Sequence, residues 1–444
     1  MLESLLSIRN LCWSGDVYRA AIEPAAIRAC VDTPLNGRFA SASADADGSV
    51  TLARDPLGLN KLFVAVRESG GVVAANYLVD MVQYGVPFEA ICSVPAGHVV
   101  RLAPRQNLVE VSRYAEDHDY PATEAPSVDE VARDIRAELE RWLARIAAQF
   151  GDRDVCICLS GGLDSGLIAA LARKHFRKLT AYTYSFTGPG IPLSEDAVYA
   201  ERLARVLDMP LRLVPATADD LYDAVEAALC YGQDWRDFNV HCAIVNEIVA
   251  RAIRSDAEAA GRPMPLVLTG DLANEFLADY EPVPYGGQEY YKLPRMEPFD
   301  LRRILVRGLD SGDREVGVFN RHGLDVIQPY GLIVNQYHRL PPAFIGGKQS
   351  KQELVRKIAG DLLPPFLFTR PKVRAQVGDS TANTGILPLL IQRGHDADWM
   401  RRAFCRLLHI GEVARLDRFI RGGRYRTVPS FRNPRLVTHG YVTG

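Results

Sequence analysis

The sequence predicts an α/β protein in two parts: a β-rich α+β domain over residues 1–118, then a doubly wound parallel sheet over residues 119–444. Three observations predict it. Val155 to Leu159 is a short apolar run rich in β-formers, followed by the glycine turn Ser160-Gly161-Gly162-Leu163-Asp164-Ser165 and a helical stretch from Gly166 to Arg173. After residue 150, buried-type strands alternate with helical stretches, the pattern of parallel strands with crossover helices. Before residue 113, short alternating runs are broken by turn dipeptides.

The turn after Leu159 has the chemistry of an anion site. Strand, glycine turn and helix together present free backbone N–H groups and a helix N-terminus. Adjacent glycines let the backbone approach a phosphate closely. Ser160 and Ser165 add hydroxyl donors, and Asp164 adds the carboxylate that Mg²⁺ needs beside a phosphate chain. No lysine sits in this loop, so it is not of the Walker type.

The bulk numbers narrow the classes. The 444 residues suffice for two or three domains, and 48% hydrophobic with 24% charged residues is an ordinary globular composition. A net charge of −2 with no strongly basic tract argues against nucleic acid as the main partner. MLESLLSIRN lacks the pattern of a secretory signal, and no apolar run is long enough to cross a bilayer. The eight cysteines form no C-x-x-C pair, which fits a reducing cytoplasm.

In chain order, Asp47-Gly48 lies between two alternating runs and predicts a hairpin. Arg54-Asp55-Pro56-Leu57-Gly58 turns into a strand over Leu62 to Val66, and Val94 to Val100 is one more turn and strand. His118 to Val128 reads as a linker. Val128 to Phe150 is an amphipathic helix, with Val131, Ile135, Leu139, Trp142 and Ile146 at helical spacing. Leu179–Phe186, Leu211–Val214 and Pro265–Thr269 are the next strands, with helices over 197–207, 221–229 and 241–253. Ligand should then sit beyond the strands' carboxyl ends.

These motifs carry a family resemblance over nearly the whole chain. Ser160-Gly161-Gly162-Leu163-Asp164-Ser165 resembles the pyrophosphate loop (PP-loop) of the ATP-pyrophosphatase superfamily. L-N-G-x-F-A at 35–40, R-D-P-L-G at 54–58 and P-A-G-H at 95–98 resemble, in order, the Ntn-type glutaminase domain of asparagine synthetases. That domain's nucleophile is a cysteine exposed by removal of the initiator Met; here Leu2 follows Met1, and Cys12 and Cys30 lie too far along. The stretch between Arg54 and Pro95 is also shorter than in the glutaminases. The expectation is a vestigial domain that makes no ammonia from glutamine.

In the second part, Leu268-Thr269-Gly270-Asp271-Leu272-Ala273-Asn274-Glu275 matches L-[ST]-G-E-G-x-D-E of asparagine synthetases and L-T-G-Y-G-x-D of β-lactam synthetases. Asp271 stands where those families have a substrate-facing Glu or Tyr, unless it caps a helix, a role Asp fills well. Asn274 stands where they have a metal-binding Asp, and Glu275 is adjacent. Glu315, in Gly312-Asp313-Arg314-Glu315, falls on the catalytic Glu of β-lactam synthetases. Val326 to Tyr330 resembles a strand-end turn near the substrate. Gln349 to Leu363 is a helix carrying Lys351. Arg370-Pro371-Lys372 before Gly378 resembles the R-P-K of β-lactam synthetases.

The resemblance implies an AMP-forming amide or lactam synthetase of specialised, antibiotic-type biosynthesis, using ATP and Mg²⁺. Its implied catalytic residues are Lys372, Glu315 and Asp271. Its implied nucleotide residues are Leu159, Ser160, Gly161, Gly162, Asp164, Ser165, Ser185, Phe186, Gly270 and Lys351, with Ser185-Phe186 against adenine. Its implied metal residues are Asp164, Asn274 and Glu275. The partners expected are a small-molecule carboxylate and an amine; a peptide or carrier-bound substrate and a homodimer stay open. Three alternatives also stay open: a lasso-peptide macrolactam synthetase, a tRNA-modifying enzyme with the same loop, and a synthetase-derived binding protein without catalysis. The basic stretch RFIRGGRYR near the C-terminus has no assigned role.

Overall fold

The computed structural model describes residues 2–6, 8–22, 35–94, 96–103, 108–114, 126–279, 282–291, 314–346, 348–370 and 385–411. The linker stretch 115–125, Pro95, Gly312-Asp313, Lys372 and the basic C-terminal stretch lie outside them.

A five-stranded parallel sheet forms the centre of the second part. Its spatial order is Leu211–Ala216, Leu179–Phe186, Val155–Cys158, Leu266–Leu268, Asp325–Ile327. The first strand in sequence is thus the middle strand in space. The chain runs outward one way to Leu211–Ala216, then returns to the other side of Val155–Cys158. Strand order reverses between Val155–Cys158 and Leu266–Leu268, where the crossovers part and leave a crevice.

Side chains alternate along these strands because successive Cβ atoms point to opposite faces. Val155 and Ile157 enter one core with Leu266, Leu268 and Ile327. Cys156 enters the other with Val267 and Val326. The first core is closed by helices Val128–Phe150, Leu163–Ala172, Glu195–Val206 and Lys348–Ala359. The second is closed by Ala218–Gly232, Asp237–Ala259 and Ala397–Leu407. Both faces are covered, the doubly wound arrangement that the alternation of strands and helices predicts.

The first part is β-rich. Among the described residues it holds two four-stranded sheets and one of three strands, with a short helix over Leu78–Gln83. Strands Ala40–Ala44 and Val50–Arg54 pair as the expected hairpin around Asp47-Gly48, with Gly48 at φ +80°. The R-D-P-L-G turn is locked from inside. The Arg54 guanidinium donates to the carbonyls of Gly58, Asn60 and Val94 at 2.7–3.0 Å. The buried Asp55 carboxylate accepts N–H groups of Phe39, Leu57, Leu59 and Asn60. In this structure both charged side chains of the turn hold backbone.

This part lies against the Asp325–Ile327 edge of the central sheet. Asn320 Nδ2 donates to Tyr77 OH at 2.9 Å, and Leu78 N donates to Gln233 Oε1 at 2.9 Å. Trp13 packs edge-on to Trp142 at 5.4 Å and joins the first core with Leu57 and Leu59.

His241, on helix Asp237–Ala259, is buried, with Nδ1 2.8 Å from Tyr291 OH. Burial pushes its imidazole down to about 3. The folded chain keeps this ring neutral, whereas the unfolded chain takes up a proton near pH 6.5. The stability it contributes is complete above that pH and is lost as pH falls toward about 3. Between pH 7 and 5 the loss should be about 2 kcal/mol. In urea titrations at both pH values, His241→Gln should remove that part of the acid slope; an unchanged slope refutes the assignment.

Candidate active site at the strand switch point

The site forms where the sheet order reverses. Val155–Cys158 ends in Leu159, and the loop turns at Gly161, φ +67°. A Cβ there would lie 2.6 Å from Ala200 N and 2.7 Å from Asp196 O, so only glycine lets the loop press on helix Glu195–Val206. The following helix runs Leu163–Ala172, three residues earlier than the glycine spacing predicts, because extended Gly162 is itself the N-cap. Asp164 and Ser165 therefore sit in the first turn. The helix has no side-chain cap, so its first-turn N–H groups fall outside its own ladder. Ser160 N donates to Ser165 Oγ at 3.2 Å, the two hydroxyls lie 2.9 Å apart, and Gly162 N donates to Ser160 Oγ at 3.3 Å.

On the other side of the crevice, Leu266–Leu268 ends in Thr269-Gly270. A Cβ on Gly270 would lie 2.5 Å from Ser165 N and 2.6 Å from Ser165 Cα. The two loops touch backbone to backbone. The chain then forms a five-residue helix, Ala273–Leu277, with left-handed residues at both ends: Leu272 at φ +86° and Ala278 at φ +49°. Asp271 is not its N-cap; that position is Leu272, which makes no side-chain cap. The family patterns have glycine where this chain has Leu272, the substitution that sequence reasoning passed over. Leu272 is buried, and its Cδ1 would lie 2.9 Å from a Cβ on Gly331. A bulky side chain at positive φ costs about 1–3 kcal/mol, which burial offsets.

The two halves are joined by one ammonium. Lys351, 5% exposed, donates to Asp164 Oδ2 at 2.5 Å and to Asn274 Oδ1, with Asp279 Oδ2 at 3.6 Å. Asp279 is the site residue that sequence reading missed; the left-handed turn at Ala278 brings it round. Tyr330 OH donates to Asp164 O at 3.2 Å from the turn after the edge strand. Arg370 closes the third side. Its guanidinium donates to Ser160 O at 3.2 Å and pairs with Asp196, over the Tyr199 ring at 4.7 Å. Burial pushes the Asp196 carboxyl up to about 6, against the pull of Arg370.

The sequence-derived set divides as follows. Leu159, Ser160, Gly161, Gly162, Asp164, Ser165, Gly270, Asn274 and Lys351 meet at the switch point. Ser185 and Phe186 end the neighbouring strand, both buried, where Ser185 Oγ accepts Ser194 N at 3.0 Å. Glu275 is buried on the short helix. Glu315 lies on helix Arg314–Asn320, its side chain outside the described residues, as is Lys372, two positions beyond Arg370.

The glycine cradle fits a polyphosphate. The cation ligands fit in part: Asp164 Oδ1 is buried with no hydrogen-bond partner among the described residues, whereas Asn274 Oδ1 is taken by Lys351. Among the described residues no three His, Cys, Asp or Glu side chains cluster to hold a metal.

Residues 134–302, which hold the pyrophosphate loop and the Gly270 turn, match the asparagine synthase family model. Over that segment the chain resembles asparagine synthases. It is 24% identical over 366 residues to asparagine synthetase [glutamine-hydrolyzing] of Cricetulus griseus, an alignment covering 76% of this chain and 63% of that protein. It is 25% identical over 340 residues to a putative asparagine synthetase [glutamine-hydrolyzing] of Mycobacterium bovis, covering 67% and 48%. The synthetase-like chain thus spans under two thirds of these relatives' length. Among solved structures, an NH3-dependent NAD synthetase from Campylobacter jejuni aligns over 65% of this chain and 97% of its own, at 13% identity and TM-score 0.28. That score is too low to bear on the site.

Among the described residues, no helix is long and apolar enough to cross a membrane.

The two glycines at the crevice should respond differently to a methyl group. Gly270→Ala should cost about 2 kcal/mol or more, since backbone must move. Gly162→Ala, at φ −89° with only Ser160 Oγ at 3.3 Å, should cost under about 1 kcal/mol. Thermal melts of both variants check this; equal costs refute the close contact.

Proposed function

We propose that the chain is an ATP-dependent, AMP-forming amide or lactam synthetase, in specialised biosynthesis of the β-lactam synthetase kind. The observation that carries this reading is the uncapped loop–helix junction at Ser160–Ser165, held against Gly270 at the switch point. The asparagine synthase match over the same segment supports it.

In this reading the loop N–H groups and the Ser160 and Ser165 hydroxyls hold the β- and γ-phosphates. Ser185 and Phe186, at the next strand end, border the adenine. A substrate carboxylate oxygen attacks the α-phosphorus, and pyrophosphate leaves. Asp164 would hold a divalent cation, whose contribution would be to neutralise phosphate charge. An amine then attacks the acyl carbon, and AMP leaves. Asp271 or Glu315 takes the amine proton. Lys372 stabilises the oxyanion of the tetrahedral intermediate. The amine is not glutamine-derived ammonia: it belongs to the same substrate, giving a lactam, or to a second one, giving an amide. An intramolecular amine gains from proximity. The first part of the chain serves as scaffold, a role its inward-facing Arg54 and Asp55 support.

One observation favours a second reading. The ammonium of Lys351 already satisfies Asn274, as it would in a synthetase-derived binding protein without catalysis. Pyrophosphate release from ATP with a panel of amino-acid-like carboxylates separates the two.

Asp164→Ala should abolish AMP formation by removing the cation bridge. Adenylation at the wild-type rate would sink the ATP-site assignment. Lys372→Ala should slow product formation on the order of 100-fold or more while ATP still binds. Lys372→Arg should recover little of it, because a planar guanidinium cannot replace a compact ammonium at one oxygen. Normal product from Lys372→Ala refutes the mechanism.

A further inference from the structure

We propose that Lys351 is a built-in cation of the nucleotide site, and that Asn274 with Lys351 replaces a carboxylate–metal contact. This rests on reading the loop as an ATP site and goes beyond it. The family patterns place a metal-binding Asp at position 274 opposite the loop Asp. Here that position is the amide Asn274, with one negative charge fewer. The structure fills the gap between the two side chains with an ammonium. Lys351 Nζ donates at once to Asp164 Oδ2, 2.5 Å away, and to Asn274 Oδ1.

The surroundings hold it there. The Lys351 side chain is 7% exposed and that of Asp279 is 5% exposed, their charged ends 3.6 Å apart. Asp279, buried, and Asp164, half-buried with a side chain 18% exposed, thus face one buried ammonium. Buried charges persist only when paired. Helix Lys348–Ala359 packs in the first core through Leu354, Val355 and Ile358, which fixes the origin of the lysine stem. The amide matters to this pairing. Its carbonyl accepts from an ammonium but adds no charge that would call for a divalent ion. One carboxylate oxygen, Asp164 Oδ1, is left buried without a hydrogen-bond partner among the described residues. That oxygen is open to a divalent ion, whose further ligands would be those of the triphosphate. Mg²⁺ accepts such a site, because it binds through one or two carboxylates plus phosphates and water.

The consequence is a cation requirement tied to the nucleotide. Without nucleotide, the chain should bind no divalent ion at this position. The test is Mn²⁺ binding to the nucleotide-free full chain, read by the loss of free-ion EPR signal. Three variants accompany the wild type: Lys351→Gln, Asn274→Asp, and both together. The wild type should leave Mn²⁺ free at millimolar concentration. Each single variant should tighten binding by about tenfold or more, and the double variant further, as ligand charge count rises. Thermal melts with and without Mg²⁺ give a second readout: only the variants should be stabilised by the ion. Asn274→Asp keeps the lysine paired, so it tests the idea even where Lys351→Gln fails to fold. Wild-type Mn²⁺ binding as tight as that of the variants overturns the proposal, as does failure of every folded variant to bind. Binding of a non-hydrolysable ATP analogue is measured separately. Its absence refutes the ATP reading without touching the Mn²⁺ result.

Discussion

The backbone contact between Gly270 and Ser165 is the constraint on which the rest of the site depends. Two parallel strands end side by side, and the chains leaving them run into two helices that pack in the same core. A side chain at position 270 would force them apart. With hydrogen there, the first turn of helix Leu163–Ala172 and the short helix Ala273–Leu277 stay within reach of one lysine. Asp164 and Asn274, 110 positions apart in sequence, then share the Lys351 ammonium. Arg370 gives the crevice its third wall by holding the loop carbonyl of Ser160 and helix Glu195–Val206 together. Each of these contacts joins elements that are distant in the chain, so the site exists only when the sheet is complete.

Much of this was legible in the sequence where local chemistry decides the structure. The helix Val128–Phe150 and the strand Leu179–Phe186 follow residue for residue from their apolar spacing. The loop motif located the site, because a strand, two glycines and a helix admit few conformations. Helix ends were less legible. Leu163–Ala172 starts early because Gly162 adopts an extended cap, next to Gly161, whose left-handed turn presses on helix Glu195–Val206. Asp279, Asp196 and the partners of Lys351 were not legible at all. Their roles come from turns and crossovers that bring distant residues together, and no local pattern marks them. Leu272 is an instructive case: the family patterns announce a glycine there, and the signal was the presence of something else.

The amino-terminal part is held by more than surface contact. Trp13, Leu57 and Leu59 enter the same core as the pyrophosphate-loop helix. Within that part, Arg54 and Asp55 hold the backbone of a turn, and the turn delivers Leu57 and Leu59 to the shared core. Rigidity in one half is thus transmitted as packing in the other.

Leu272 shows what that sharing entails. Its side chain and that of Leu59 converge on Gly331, one from the crevice at the strand switch point and one from the β-rich half. The leucine keeps a backbone shape that glycine would adopt at ease, and it does so because its far end is wedged between the two halves. A return to glycine would relax the loop and in the same step open a void at the seam. The two properties are therefore inherited together. The β-rich half is the abutment against which the crevice loop is braced.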